Sequence, residues 1–225
     1  MTNTLQIGTV TQIQPDPDNN FRVLVNIPTL SEKPVWARLA NMYATAGAGS
    51  FFYPEIDDEV IVGFFNNDDT APVILGSLYN NRKQPAYTPD ERNNTKAIVT
   101  KSQIKIVMDD DKKSVTISTP GNNKVILNDD TKSISLTDQN GNLIEMSPSG
   151  ITIQSASNIV LKANQNINLS STQGTNIKAT GGDINLSGLN INGTAEIGLT
   201  MKGAATAELS ASAQTTIKGA MVMIN

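Results

Sequence analysis

The side chains that could do chemistry in this chain are carboxylates, lysines and hydroxyls, because the sequence contains neither histidine nor cysteine. A Ser-His-Asp triad, a Cys-His dyad and any metal site built on imidazole or thiolate are therefore excluded within one chain. Asp109-Asp110-Asp111 and Asp129-Asp130 could bind calcium, but they lack the ligand pattern of an EF-hand loop and are interpreted as solvated hairpin turns. Asp57-Asp58 could serve a glycosidase, but adjacent carboxylates tend to point apart. We expect no catalytic residue, no metal and no cofactor.

The aromatic residues divide the chain into two parts. All ten lie in residues 1–87, and none follows. A globular core uses aromatic bulk to fill the space between packed layers, so the second part is predicted to be too thin to need it. Four short strands with turn signals between them predict a small barrel or sandwich in residues 1–87, at Phe21–Val25, Val35–Leu39, Glu59–Phe65 and Val73–Leu75.

Polar and acidic turns organise the middle of the chain. Residues 88–103 are predicted to be a linker, because they contain the polar run Pro89-Asp90-Glu91-Arg92-Asn93-Asn94. Residues 104–150 are predicted to form a neck of β-hairpins, because short alternating strands flank the acidic turns there. Each hairpin should have one wet face.

An eight-residue period begins at residue 151. Each octad places apolar residues at positions k and k+2, which lie on one face of a strand, and Ser, Thr, Asn, Gly and Ala fill the space between. Two apolar residues per octad are too few for one chain to enclose a core, so the period predicts that several identical chains share it. Three chains give the simplest closed prism, which also removes exposed strand edges. The predicted trimer core in residues 151–225 is Ile151, Ile153, Ile159, Leu161, Ile167, Leu169, Ile177, Ile184, Leu186, Ile191, Leu199, Met201, Leu209 and Ile217, with a slip of one residue at Ile184/Leu186 beside Gly181-Gly182.

The predicted prism of residues 151–225, called the needle below, ends on the apolar run Met221, Val222, Met223, Ile224 and Asn225. An open prism end exposes apolar surface and unpaired backbone groups, so these residues are predicted to contact a partner at the tip. The other interpretation of residues 151–225, a disordered low-charge tail, is disfavoured because the register persists over successive octads. The first residues have no basic n-region or apolar h-region, so we expect synthesis in the cytoplasm without a signal peptide.

Three segments resemble one known family. The segments from Trp36 to Arg38, Pro54 to Phe64 and Ala71 to Asn80 resemble the OB-fold of phage baseplate central spikes (baseplate assembly protein V) and of VgrG proteins. Gly8-Thr9-Val10 and Arg22–Val25 are similar to the entry strands of that barrel, and Asn122–Asp130 and Ser149–Ile153 to the family's neck and needle.

The resemblance implies an all-β homotrimer with an N-terminal OB-fold barrel, a hairpin neck and an intertwined β-helix (β-prism) needle. It implies a structural spike in the virion tail baseplate, mounted under a trimeric hub and driven through the bacterial envelope on sheath contraction. Some spikes end in a His-x-His iron site, which this chain cannot form, so the C-terminus is expected to seat a PAAR-like tip protein. A VgrG-type spike of a type VI secretion or extracellular injection system, delivering an effector through its tip, is an alternative.

An OB-fold also raises the hypotheses of nucleic-acid or carbohydrate binding. The run Phe51-Phe52-Tyr53 could stack bases, but residues 1–87 hold five basic and nine acidic side chains, so we expect no nucleic-acid partner. These aromatic residues are instead predicted to pack in the barrel or against a hub. A carbohydrate-binding OB module on a fibrous stalk remains the second alternative.

Overall fold

A computed structural model describes residues 5–30 and 32–224 of the chain. The described residues contain β-strands and one short 3-10 turn, Phe65–Asn67, which confirms the all-β class. The chain divides into two compact units, Met1–Leu161 and Lys162–Asn225.

The N-terminal part of the first unit is a closed five-stranded barrel. Its strands are β1 (Gln6–Gln12), β2 (Val23–Asn26), β3 (Val35–Leu39), β6 (Glu59–Phe64) and β7 (Pro72–Leu78), in the order β1-β2-β3-β7-β6. Among the described strands of the barrel, β3 and β7 pair in parallel and the other pairs are antiparallel. The predicted barrel is therefore confirmed, and the sandwich alternative is wrong. A small hairpin, β4 (Ala44–Thr45) and β5 (Ala48–Gly49), lies between β3 and β6.

Alternate side chains along the strands point inward and fill the barrel interior. Val10, Val23, Val25, Val60, Val62 and Ile74 are all fully buried, and Ile27 and Ala37 complete the cluster. β-branched side chains suit a pleated, buried surface, which explains why valine dominates this small interior. Gly8 is required for close packing, since a Cβ at this position would lie 2.4 Å from Val25 Cγ1.

A buried carboxylate holds the long loop between β1 and β2. The Asp16 side chain is fully buried and accepts hydrogen bonds from the backbone N–H groups of Asp18, Asn20 and Arg22. The Arg22 guanidinium also donates to it, at 2.7 Å. These hydrogen bonds, with the guanidinium as the largest cause, hold the pKa of Asp16 well below its usual range.

The rest of the first unit is a seven-stranded antiparallel sheet in which each strand pairs with the next. Its strands are β8 (Thr95–Val99), β9 (Lys105–Asp109), β10 (Ser114–Ser118), β11 (Lys124–Asn128), β12 (Ser133–Thr137), β13 (Leu143–Ser147) and β14 (Gly150–Gln154). Tight turns join them, and Asp109 Oδ1 accepts from the backbone N–H groups of Asp111 and Lys112 in one of these turns. This acidic run therefore serves as turn chemistry.

The sheet corrects two boundaries of the sequence analysis. Residues 88–103, predicted as a linker, contain β8, whose residues pair with β9 through a turn at Thr100–Ile104. Ile151 and Ile153, predicted as the first needle layer, lie on β14 and pair with β13. The physical reason is the same in both places: a short turn returns the chain, and the backbone of the neighbouring strand satisfies its hydrogen bonds.

After β14 the backbone follows the eight-residue period. It bends at 156–157, 164–165 and 172–173, at 180–182, and again at 188–189, 196–197, 204–205 and 212–213. The bend at 180–182 takes three residues where the others take two, and this is where the apolar register slips by one residue. Between 155 and 224 the chain forms no strand with itself. Its backbone groups therefore lack the ladder partners that a β-prism would supply.

Candidate assembly surface

One face of the seven-stranded sheet carries a continuous aliphatic row. The register of the six strand pairs places one aliphatic residue from each strand side by side, in the order Ile98, Ile106, Ile117, Val125, Leu136, Ile144 and Ile153. Directly opposed side chains in such rows are close enough to pack. The face therefore has the composition of a protein core.

A second row runs beside the first on the same face. It consists of Lys96, Met108, Val115, Leu127, Ile134, Met146 and Ile151, each two residues from a member of the first row. Lys96 is the edge residue, and its ammonium lies 3.8 Å from the Asp110 carboxylate. The other six residues are apolar, so every strand except β8 contributes two apolar side chains to this face, each of them aliphatic or methionine.

This apolar face is open in the single chain. Ile117 is 42% exposed and Leu136 is 49% exposed. Five members of the first row, from Ile117 to Ile153, also line an open trough of about 530 Å³, together with Ile159 of the first octad. On the opposite face the corresponding row mixes Val107 and Ile126 with Thr116, Ser135 and Glu145, so that face is more polar than the apolar face without being wholly polar.

The octads and the sheet strands share one motif, a pair of apolar residues two positions apart. In the sheet, the paired residues are two apart, as at Leu136/Ile134; in the octads they are also two apart, as at Ile167/Leu169. The octad pairs follow the first residue of a bend by three and five residues, except Ile184/Leu186, where the register slips by one. Both regions therefore present two apolar side chains per strand-length segment on one side of the chain.

A polar network fixes the point where the sheet ends. Asp138, in the turn between β12 and β13, accepts from the backbone N–H groups of Asn140 and Asn142 and from both side-chain amides. These hydrogen bonds, led by those from Asn142, lower the pKa of Asp138 to about 2. The Asn142 Oδ1 in turn accepts from Ser155 Oγ at 2.8 Å and from the Ala156 N–H at 3.1 Å. The first bend is thus attached to the last turns of the sheet.

The predicted core residues all lie at exposed positions of the single chain, from Ile167 at 52% to Met201 at 86%. Ile151 and Ile153 belong to the sheet, Ile159 and Leu161 to the first octad, and the remaining ten to the second unit. Of the predicted tip residues, Met221, Val222, Met223 and Ile224 are exposed, and Asn225 lies outside the described residues. Sequence reasoning identified the octad pairs but not the sheet rows; alternation in each hairpin was the available signal, while the register between strands was not visible.

The aromatic run of the head is divided between interior and surface. Tyr53 packs against the barrel core and donates from its hydroxyl to the Phe21 carbonyl at 3.0 Å. Phe51 and Phe52 are 83% and 63% exposed, so they do not pack in the barrel. Phe51 leans on the Tyr53 ring, with centroids 4.9 Å apart.

Residues 5–30 and 32–224 contain no group of three or more carboxylate, histidine or cysteine side chains that could hold a metal ion. Over the same residues, no helix has the length and apolar character needed to cross a membrane.

Comparison with known proteins identifies the barrel. Residues 6–79 match the family described as the type VI secretion system/phage-baseplate injector OB domain. The type VI secretion system spike protein VgrG3 of Vibrio cholerae serotype O1 (strain ATCC 39315 / El Tor Inaba N16961) is 35% identical over 85 residues, which cover 35% of this chain. The chain spans only 8% of the length of that relative. The predicted resemblance to VgrG-like baseplate spikes is confirmed, and the family match lies in the N-terminal barrel.

Proposed function

We propose that this chain is the central spike of a contractile injection machine, a homotrimer with a barrel head, a sheet-built neck and an intertwined β-prism needle. The observation that carries the proposal is the combination of an injector-type OB barrel with an uncovered apolar face along the neck and octads. The role is structural and mechanical, and no catalytic step is part of it.

The apolar face supports assembly because a single chain leaves it in water. Burying a whole Leu or Ile side chain stabilises a protein by about 1.5–3 kcal/mol, and each neck strand from β9 to β14 offers two apolar side chains. Three copies facing a common axis would bury both rows and give the sheets no solvent-exposed apolar face. The same arrangement would supply the octads with the strand partners that one chain lacks.

The octads add a reason for intertwining. They contain only seven charged residues from position 151 onward, and their backbone forms no strand within the chain. Such a segment is aggregation-prone unless its edges are paired, and winding three chains around one core pairs all of them. Dense interchain hydrogen bonding would also resist axial load, which a puncturing needle requires.

Two protein partners are part of the proposal. The barrel head would mount on a trimeric hub protein of the tail baseplate, and the apolar end at Met221–Ile224 would seat a PAAR-like tip protein. Sheath contraction would then drive the spike through the bacterial envelope. In this proposal the spike binds neither nucleic acid nor metal.

A VgrG-type spike of a type VI secretion or extracellular injection system, delivering a tip-bound effector, is the second candidate. The similarity to a type VI secretion spike protein favours this second candidate, although that similarity covers only 35% of this chain. Neighbouring genes distinguish the two, since a phage locus encodes capsid proteins and a secretion locus encodes a membrane complex. A carbohydrate-binding module on a stalk is a third candidate, and a glycan array probed with the full chain would detect it.

Solution mass tests the proposal directly. Light scattering should give three times the chain mass of 24.0 kDa, and the unboiled sample should resist SDS. Leu136→Asn, on the apolar face of β12, should weaken the trimer, whereas Ser135→Asn, on the opposite face of the same strand, should leave it intact. A stable monomer in the unmodified protein would refute the proposed spike.

A further inference from the structure

The barrel carries an exposed surface that neither its core nor the proposed needle uses. Residues 40–54 contain no Asp, Glu, Lys or Arg, and they form the β4–β5 hairpin with its flanking arms. Met42, Tyr43, Phe51 and Phe52 project from these arms and are 59–94% exposed. We name these four residues the aromatic loop surface. Depletion of charge with enrichment in aromatic residues and methionine is the composition of an interface centre.

The hairpin presents this surface in a fixed geometry. The Ser50 N–H donates to the Tyr43 carbonyl at 2.9 Å, which joins the two arms. Gly49 adopts φ of 148°, and a Cβ at this position would lie 2.6 Å from the Tyr43 oxygen, so the close approach of the arms requires glycine. The Phe51 ring rests against Tyr53, which is anchored in the barrel. A preorganised surface loses little conformational entropy when it binds.

The size of the surface indicates a protein partner. An aromatic side chain buries about 150–250 Å², so four large side chains at these exposures offer about 600 Å². A standard protein interface buries about 800 Å² on each side. The aromatic loop surface is therefore large enough to be the centre of one such interface.

A second apolar surface lies on the wall formed by β1, β6 and β7. Leu5, Ile7 and Leu75 are 50–63% exposed there, and we name these three residues the aliphatic wall. Leu5 and Leu75 lie beside Gly63, since a Cβ on Gly63 would lie 3.5 and 3.4 Å from their methyl carbons. A Cβ on Gly76 would meet nothing within 4 Å, so the space beside that position is open. Aromatic side chains can pack on an open aliphatic surface of this kind.

The two surfaces occupy different sides of one barrel. The β4–β5 hairpin lies at the end of the barrel where β3 and β7 end and β6 begins. The aliphatic wall lies instead on the side of the barrel, on the outer surface of its strands. A ring of identical subunits joins two different patches of each copy to the complementary patches of its neighbours. Copies held together by a shared needle also meet at an effective concentration in the millimolar range, so a modest interface suffices.

We propose that the aromatic loop surface of one copy packs on the aliphatic wall of the next copy, closing the three heads into a ring. This inference rests on the proposed trimer. It assigns the head an interface of its own, separate from the needle core.

Cross-linking of the full chain tests the inference, and the absence of native cysteine makes every cross-link attributable to an introduced residue. The double variant Phe51→Cys/Leu75→Cys, treated with a short bis-maleimide, should give dimers and trimers on a denaturing gel. Its yield should exceed that of either single variant, and of Phe51→Cys/Glu32→Cys, by at least about tenfold. Glu32 is exposed on the loop between β2 and β3. A second pair, Tyr43→Cys/Ile7→Cys, should behave as the first pair does and covers the case in which one variant fails to fold.

The outcomes separate this inference from the proposed function. A trimeric mass without interchain cross-links in either pair would overturn the ring and leave the surface to another protein, such as the hub. Cross-linking of Phe51→Cys alone would also overturn it, because the loops would then meet each other at the axis. A monomeric mass would overturn the trimer and the ring together.

Discussion

Truncation of one octad leucine gives the sharpest test of the shared core. Leu169 lies at an apolar register position and is 71% exposed in the single chain, whereas Leu189 lies on a bend, outside the register, and is 100% exposed. The two changes Leu169→Ala and Leu189→Ala remove the same atoms. Only Leu169→Ala should remove side chains that become buried when three copies of the chain assemble.

The magnitude follows from the exposed fraction. Burying a whole leucine contributes about 1.5–3 kcal/mol, so covering the exposed 71% of Leu169 contributes about 1–2 kcal/mol per chain and about 3–6 kcal/mol per trimer. Unfilled space left by the truncation would add to this cost. If these contacts are lost before the rate-limiting step of unfolding, the rate should rise by about 10²–10⁴-fold.

The assay is the rate at which the SDS-resistant band disappears at a fixed, elevated temperature. Leu169→Ala should shorten the half-life by the factor above, and Leu189→Ala should leave it within about twofold of the unmodified protein. Equal effects of the two variants, or a larger effect at Leu189, would refute the assignment of the octad register to a common core.

Three further predictions concern the first unit. Ile74→Ala, at a fully buried site, should lower the free energy of unfolding of the barrel by about 2–5 kcal/mol, measured by tryptophan fluorescence in denaturant, while Leu75→Ala should cost much less. Asp16→Asn should lower the melting temperature at pH 7. The difference in melting temperature between this variant and the unmodified protein should become smaller on acidification. Hydrogen bonding from Arg22 depresses the pKa of Asp16, so the stabilisation is complete above about pH 4 and declines below it. The stabilisation from Asp138, whose pKa is about 2, should likewise fall between about pH 4 and 2, so Asp138→Ala should flatten the pH dependence of sheet melting followed by circular dichroism; an unchanged slope would contradict the network.

Local sequence signals were sufficient for most of the strands. Glu59–Phe64 and Val35–Leu39 were readable because β-branched and aromatic residues stand between turn residues. In both strands a few neighbouring residues contain the information. Phe65, predicted as the last residue of its strand, instead begins the turn Phe65–Asn67, in which Asn66 adopts a φ of 53° that asparagine tolerates.

Segment boundaries were less predictable, because polarity and strand formation are separate properties. β8 was interpreted as part of a linker since its flanks are polar, yet its backbone pairs with β9 over five residues. The same effect placed Ile151 in the needle although it pairs with Met146. Strand pairing across a short turn decided both boundaries.

The sequence by itself determined the division of the chain into an aromatic-rich head and a thin remainder, and it determined the octad period that the bends at 156–157 and beyond follow. These are properties of composition and spacing, and they hold whatever the chain contacts. Only the tertiary structure decided that seven aliphatic residues, from Ile98 to Ile153, form one row, and that Phe51 and Phe52 lie outside the barrel. Register between strands and the side of a barrel that a loop occupies depend on backbone hydrogen bonds across turns and between strands, which the residue pattern within one strand does not specify.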